Sequence, residues 1–219
     1  MAEAEGEPAP LTAAGLEGLT QFELDKEYAR LGTRYRVLGP HSQPLFEIER
    51  PAGQAAASEA LNIFVSVAAS NSKHRRRRPA GSVLGAKVEH SLSRHYEMWA
   101  LDDRWLGRIE KSGGRERPQW TLYLSDWQAL AWVDLTPNAY GPPTAVVLDA
   151  AGNPAMSVPV MPSPVPMPMV DPYGRPAGDI TMGYQNYNQR ILIRSFARIH
   201  PIHFVFLAVV LDYETHPAE

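Results

Sequence analysis

The chain has 219 residues, 44% hydrophobic and 21% charged, enough to bury a sizeable core in one domain or two small ones. It holds no cysteine, which excludes a disulfide scaffold, a thiolate metal site and a cysteine nucleophile. The formal net charge is only -3, but 12 of the 21 Lys and Arg residues lie between Lys73 and Arg117 against six acids. That stretch therefore carries a surplus of six positive charges, and the rest of the chain is correspondingly acidic.

In chain order, the opening MAEAEGEPAP is acidic and has no basic segment followed by an apolar one, so no signal peptide is expected and the protein reads as cytoplasmic, at most peripheral to a membrane. Residues 1–15 are rich in Ala, Glu, Pro and Gly and read as a disordered tail, with 16–214 as one domain and 215–219 as a second tail. Within the domain one spacing repeats. Gly39 to Ile48, Asp149 to Val158 and Asp171 to Ile180 each place a turn-forming residue first, proline five positions later and a β-branched residue nine positions later. Shorter versions occupy Leu101 to Ile109 and Ser125 to Val133.

Asp, Gly and Asn are what a tight turn requires, and alternating apolar residues flank these turns: Tyr35 and Val37 before Leu45 and Ile48, Tyr96 and Met98 before Leu106 and Ile109, Val147 before Met156 and Val158. Further strand-like runs are 61–67, 82–88, 120–124 and 190–196. So many short strands at similar intervals predict an antiparallel sandwich or barrel, since closure removes exposed sheet edges.

Two segments interrupt this pattern. Lys73-His74-Arg75-Arg76-Arg77-Arg78, inside 71–80, is flanked by turn-forming residues and reads as a basic loop. Residues 159–168 hold five prolines and cannot donate a regular ladder, which predicts an extended crossing connection. The five tryptophans, Trp99, Trp105, Trp120, Trp127 and Trp132, lie beside the basic region, and strand-placed aromatics of this kind pack into a barrel wall.

Near the end, Ile202 to Leu211 reads IHFVFLAVVL. A bilayer-spanning helix takes about 20 apolar residues, so this run is too short to cross. Pro201 suits a first helical turn, and Asp212 with Glu214 is expected to close the run in solvent.

Chemistry is sparse. There is no GxSxG, HExxH, GxGxxG or phosphate-cradling glycine loop, so no catalytic residue, metal site or cofactor is assigned. His200 and His203 share a helix face beside Pro201 and read as capping groups; two histidines without a third ligand do not make a metal site.

The order of these features resembles the tubby C-terminal-like superfamily, in its phospholipid scramblase and LURP-one-related branch. The likeness is carried by the Gly15 to Leu24 opening, the Tyr35-Arg36-Val37 and Leu45 to Ile48 hairpin, the D-x-x-G turns, and the closing Ile191 to Phe196 strand followed by the run from Ile199 to Tyr213. The resemblance implies a mainly β fold, a closed antiparallel barrel of about twelve strands around one central C-terminal helix. Ile202, Phe204, Val205, Phe206, Leu207, Val209, Val210 and Leu211 would form that helix's core surface. It also implies a binding or regulatory module, since some members bind phosphoinositides. Calcium-triggered lipid scrambling is not implied, because the chain lacks the cysteine cluster and has Gly183 to Gln189 where the scramblases carry an acidic segment.

Three functional classes follow. The first is a non-enzymatic module recognising an anionic ligand or phospholipid headgroup through Lys73, Arg75, Arg76, Arg77 and Arg78. The others are phospholipid scrambling and a structural or protein-interaction domain with an unknown protein partner. Nucleic acid is the less favoured partner for the same charges.

Overall fold

Period-two alternation of apolar and polar residues runs through most of the chain, and each run becomes a strand with one face toward a common interior. The computed structural model describes residues 15–16, 18–29, 32–51, 94–112, 119–161, 164–185, 188–196 and 199–215. The strands are β1 (Gln21–Ala29), β2 (Gly32–Leu38), β3 (Pro44–Glu49), β4 (Arg94–Ala100), β5 (Trp105–Ser112) and β6 (Gln119–Leu124). They continue as β7 (Ala129–Thr136), β8 (Thr144–Asp149), β9 (Pro154–Pro159), β10 (Met167–Val170), β11 (Pro176–Gln185) and β12 (Asn188–Ser195). Each pairs antiparallel with its neighbours in sequence, and β1 pairs with β12, so the sheet closes into a twelve-stranded barrel. One helix, α1 (Pro201–Thr215), follows.

Closure settles the choice between sandwich and barrel. The expected runs 61–67 and 82–88, the basic loop 71–80, residues 1–14 of the acidic tail and 216–219 lie outside the described residues.

Helix α1 fills the barrel. Ile202 and Phe204 to Tyr213 are buried without a break, so the helix has no solvent face along those three turns. A helix apolar on every side must be surrounded by protein. Its side chains reach β2 through Tyr35, β6 through Trp120 and β12 through Gln189. All eight of the expected core residues are at most 2% exposed, each contributing about 1.5–3 kcal/mol of gross burial. Close fit shows at Gly178 on β11, where an added Cβ would overlap the Arg194 carbonyl oxygen and press on the Phe204 ring.

Three expectations are corrected. Asp212 does not close the helix in solvent: it is fully buried. The helix continues inside the barrel to Thr215, and Asp212 is satisfied there. Lys26 Nζ lies 2.7 Å from Asp212 Oδ2, the Tyr35 hydroxyl donates to the same oxygen at 2.6 Å, and Gln189 Nε2 donates to Oδ1 at 2.6 Å. Next, Leu45 is not the inward partner of the first hairpin. Phe46 and Ile48 face inward opposite Val37 and Tyr35, because period-two alternation cannot place 45 and 48 on one face. Finally, the proline segment does not cross the barrel. It joins the neighbours β9 and β10, with Pro164 and Pro166 in the turn between them, and prolines deprive that seam of donors, leaving the single ladder pair Val170 with Ser157.

Two measurements test this core. Asp212→Ala should lower unfolding free energy by about 3–5 kcal/mol, because it strands the buried Lys26 charge. The isosteric Asp212→Asn should lose less, and urea titration ranking them the other way would remove Asp212 as an anchor. Burial pushes the His203 imidazole below its ordinary value of 6.5, with the His200 carbonyl opposing. The unfolded chain then binds more protons below pH 6.5, so stability is full above that pH and falls as the pH drops through it. His203→Gln should flatten the fall in melting temperature between pH 7.5 and 5.5.

Candidate functional site

With α1 occupying the interior, the outer wall and the two rims remain to meet a ligand. Strand alternation places the β2–β3, β4–β5, β6–β7, β8–β9 and β10–β11 connections on one rim, where the helix begins. All five sequence repeats therefore lie together at that rim.

Four of the turns share one hydrogen-bond pattern. The N–H of Ala100, Leu124, Asp149 and Asp171 donates to the carbonyl four residues on, at Arg104, Gln128, Asn153 and Arg175. The residue three positions on donates back to the first carbonyl. That residue has positive φ in every case: Asp103 at 63°, Trp127 at 62°, Gly152 at 82° and Gly174 at 78°. Glycine is the natural occupant of this conformation. Asp tolerates it, whereas a bulky aromatic there is strained. Asp149 Oδ1 also accepts from the N–H groups of Ala151 and Asn153, and the Asn153 bond holds its carboxyl below the usual carboxylate range.

Trp127 is 55% exposed and lies on the outer wall against Trp105, ring centres 5.0 Å apart, and Tyr123 at 6.3 Å, with the Arg108 guanidinium 4.8 Å from its own ring centre. Arg108 is held by Glu97 at 2.8 and 3.0 Å, and Glu97 also accepts the Trp105 indole N–H at 2.6 Å. His95 Nε2 stands 3.3 Å from Glu97, giving this histidine a partner that the sequence did not name. Burial lowers its pKa, as does Arg108, against the opposing carboxylates Glu97 and Glu110. Of the five tryptophans, only Trp120 joins the core, where its indole N–H donates to Glu214 beside Lys111.

Beside this aromatic wall runs a cleft of about 370 Å³ lined by Arg34, Glu47, Glu49, Trp99, Ala100, Leu101 and Asp103. Arg34 is ion-paired with Glu47, which also meets Arg36 at 3.4 Å. Glu49 and Asp103 have no ionic partner among the described residues. The Trp99 Nε1–H and the Arg34 Nε–H are buried with no acceptor there. The lining thus carries two carboxylates without an ionic partner among the described residues and an indole, and its two unsatisfied donors, one of them that indole's N–H, are closed off from the surface.

The residues chosen from sequence, Lys73, Arg75, Arg76, Arg77 and Arg78, lie outside the described residues. Arg104, Arg108 and Lys111, which belong to the positive stretch, are each paired with an acid. His200 caps the helix as expected, its Nδ1 accepting from the Ile202 N–H at 3.2 Å. Among the described residues no group of three His, Asp or Glu side chains could hold a metal. No described helix is long and apolar enough to cross a membrane.

No family model matches the sequence, and no curated protein matches it. The fold is similar to the X-ray structure of a protein from Arabidopsis thaliana, with a TM-score of 0.51 at 7% identity, covering 91% of this chain and 94% of that one. Such a likeness carries the fold alone. Twelve strands closed around one helix fit the tubby-like fold in general.

The turn geometry makes a specific prediction. Trp127→Gly relieves strain on the order of 1–3 kcal/mol while losing ring contacts of similar size. Its stability should therefore stay within about 1 kcal/mol of the native chain. Trp127→Ala keeps the strain and loses the contacts, so it should unfold at lower urea than the glycine variant.

Proposed function

We propose that the chain is a non-catalytic binding module that meets anionic phospholipid headgroups at a membrane surface through Lys73, Arg75, Arg76, Arg77 and Arg78. The observation that carries this reading is the filled barrel. The interior that would enclose a substrate is occupied by α1, so recognition falls to what the barrel presents outside.

The segment bearing the basic run leaves from the end of β3 and returns at the start of β4. These strands are paired in register from Phe46 with Ala100 to Glu49 with Glu97, so both ends of the segment are fixed at the rim where α1 ends. The basic run is joined to that rim on both sides by the chain, and its attraction to an anionic surface does not require the barrel to enter the bilayer. Each charge near an anionic surface gains about 1 kcal/mol, and the gain is screened by salt.

Cosedimentation with phosphatidylserine-containing and purely phosphatidylcholine vesicles tests this. Binding should be confined to the anionic vesicles, weaken above about 0.3 M salt, and vanish when Arg75 to Arg78 are all changed to Gln. Equal or absent sedimentation with both vesicle types rejects the reading, and stronger retention on random duplex DNA in the same buffer would assign the charge to nucleic acid.

A further inference from the structure

The joint of the wall with the fewest bonds is the β9–β10 seam. Among the described residues Val170 with Ser157 is its single ladder pair, whereas every other pair of neighbouring strands shares four or more. Continuing the antiparallel register from that pair sets Pro168 opposite Pro159, two residues without an N–H. One step further, the Val160 N–H donates to the Pro143 carbonyl at 2.8 Å, on the side of β8 and away from β10.

Side chains do not make up for the missing ladder. Ser157 and Pro159 on β9 and Pro168 and Val170 on β10 alternate with buried positions and so lie on the outer wall, and none of the four carries a charge. Elsewhere ion pairs bridge the wall from strand to strand: Arg34 with Glu47 across β2–β3, Arg108 with Glu97 across β4–β5, Arg190 with Glu23 across β12–β1 and Arg194 with Asp179 across β11–β12. The inner surface of the seam is adaptable as well. Met156, Met167 and Met169 are at most 1% exposed and face inward, and an unbranched methionine follows a moving wall where Val or Ile would resist it. An added Cβ at Gly178 would stand 2.9 Å from Met169 Cε and 3.2 Å from the Phe204 ring, so Met169 sits beside Phe204 of α1.

We propose that the barrel opens at the β9–β10 seam while the rest of the wall stays closed, uncovering the Phe204 flank of α1 as a gated apolar surface. Local opening follows the lowest density of backbone bonds and cross-links. The closure of β1 on β12, with six ladder pairs and the Asp212 anchor, lies apart from it. The device is also independent of the basic run, which is joined to β3 and β4.

Met98 on β4 is the internal standard for a test, since it is 1% exposed, no more than the seam methionines. The full chain is treated with dilute hydrogen peroxide under native conditions, and the initial rate of sulfoxide formation is read at each methionine by peptide mass spectrometry. Met156, Met167 and Met169 should oxidise at least about tenfold faster than Met98. Because the chain has no cysteine, one disulfide can be added as a lock without competing thiols. Ser157→Cys with Val170→Cys, oxidised, should bring the three seam rates down to that of Met98. A control disulfide from Asp134→Cys with Val146→Cys, paired across β7–β8, should leave them fast. Equal rates at all four methionines of the native chain overturn the proposal, as does equal slowing by both disulfides, because either result makes global unfolding the route to the interior. Seam rates that the seam disulfide leaves unchanged overturn it as well.

Discussion

The carboxylate of Asp212 is buried inside the barrel, and the remaining architecture is arranged to satisfy it. A charge there is tolerable only if donors converge on it, and they come from β1 through Lys26, β2 through Tyr35 and β12 through Gln189. Those strands flank the seam at which the barrel closes, β1 against β12. One side chain of the central helix thus fastens the closure and fixes the rotation and depth of the helix. The apolar surface of α1 supplies attraction but little direction, since Val and Leu fit a cylindrical interior in more than one register. The second polar link, Glu214 to Lys111 and Trp120, does the same from the β5–β6 side.

With the interior fixed in this way, the wall alternates. Apart from the few groups that meet Asp212 and Glu214, inward positions are apolar, and outward positions carry ion pairs such as Arg190 with Glu23 and Arg194 with Asp179. This is the reverse of a barrel that faces lipid, whose outer band is apolar and whose interior is polar. The proposed function depends on it, because a filled core leaves recognition to the loops and wall.

The fold was legible in the sequence where a local rule sufficed. The D-x-x-G turns are dictated by the φ of one position, and the strands by alternation, so the hairpins could be placed before their partners were known. That IHFVFLAVVL is enclosed by protein was legible because a run apolar on nearly all sides is too short for a bilayer, but its place at the centre of a barrel came from the family resemblance alone. What could not be read depends on distance along the chain. Asp212 meets Tyr35 across a separation of 177 residues, and Lys111 meets Glu214 across 103. No spacing rule links such pairs, so Asp212 looked like a solvent-facing stop. The cleft is invisible for the same reason: Arg34, Glu49, Trp99 and Asp103 come from three strands and a turn. One signal was present, since Asp103 and Trp127 occupy the turn position that two sister repeats give to glycine. At Trp127 that side chain stands on the outer wall, against Trp105 and Arg108.

The place of α1 in the chain has a consequence for synthesis. The helix follows all twelve strands, so a ribosome completes the entire wall before the element that fills it has emerged. Local hairpins can pair during that interval, but β1 and β12, separated by the whole domain, gain a common core only when α1 arrives. Until then the inward faces of the nascent sheet stand open to water and to other chains, a state prone to aggregation. The window of risk closes with the last few turns of helix, so a stop codon shortly before Pro201 would leave a wall with nothing to close around.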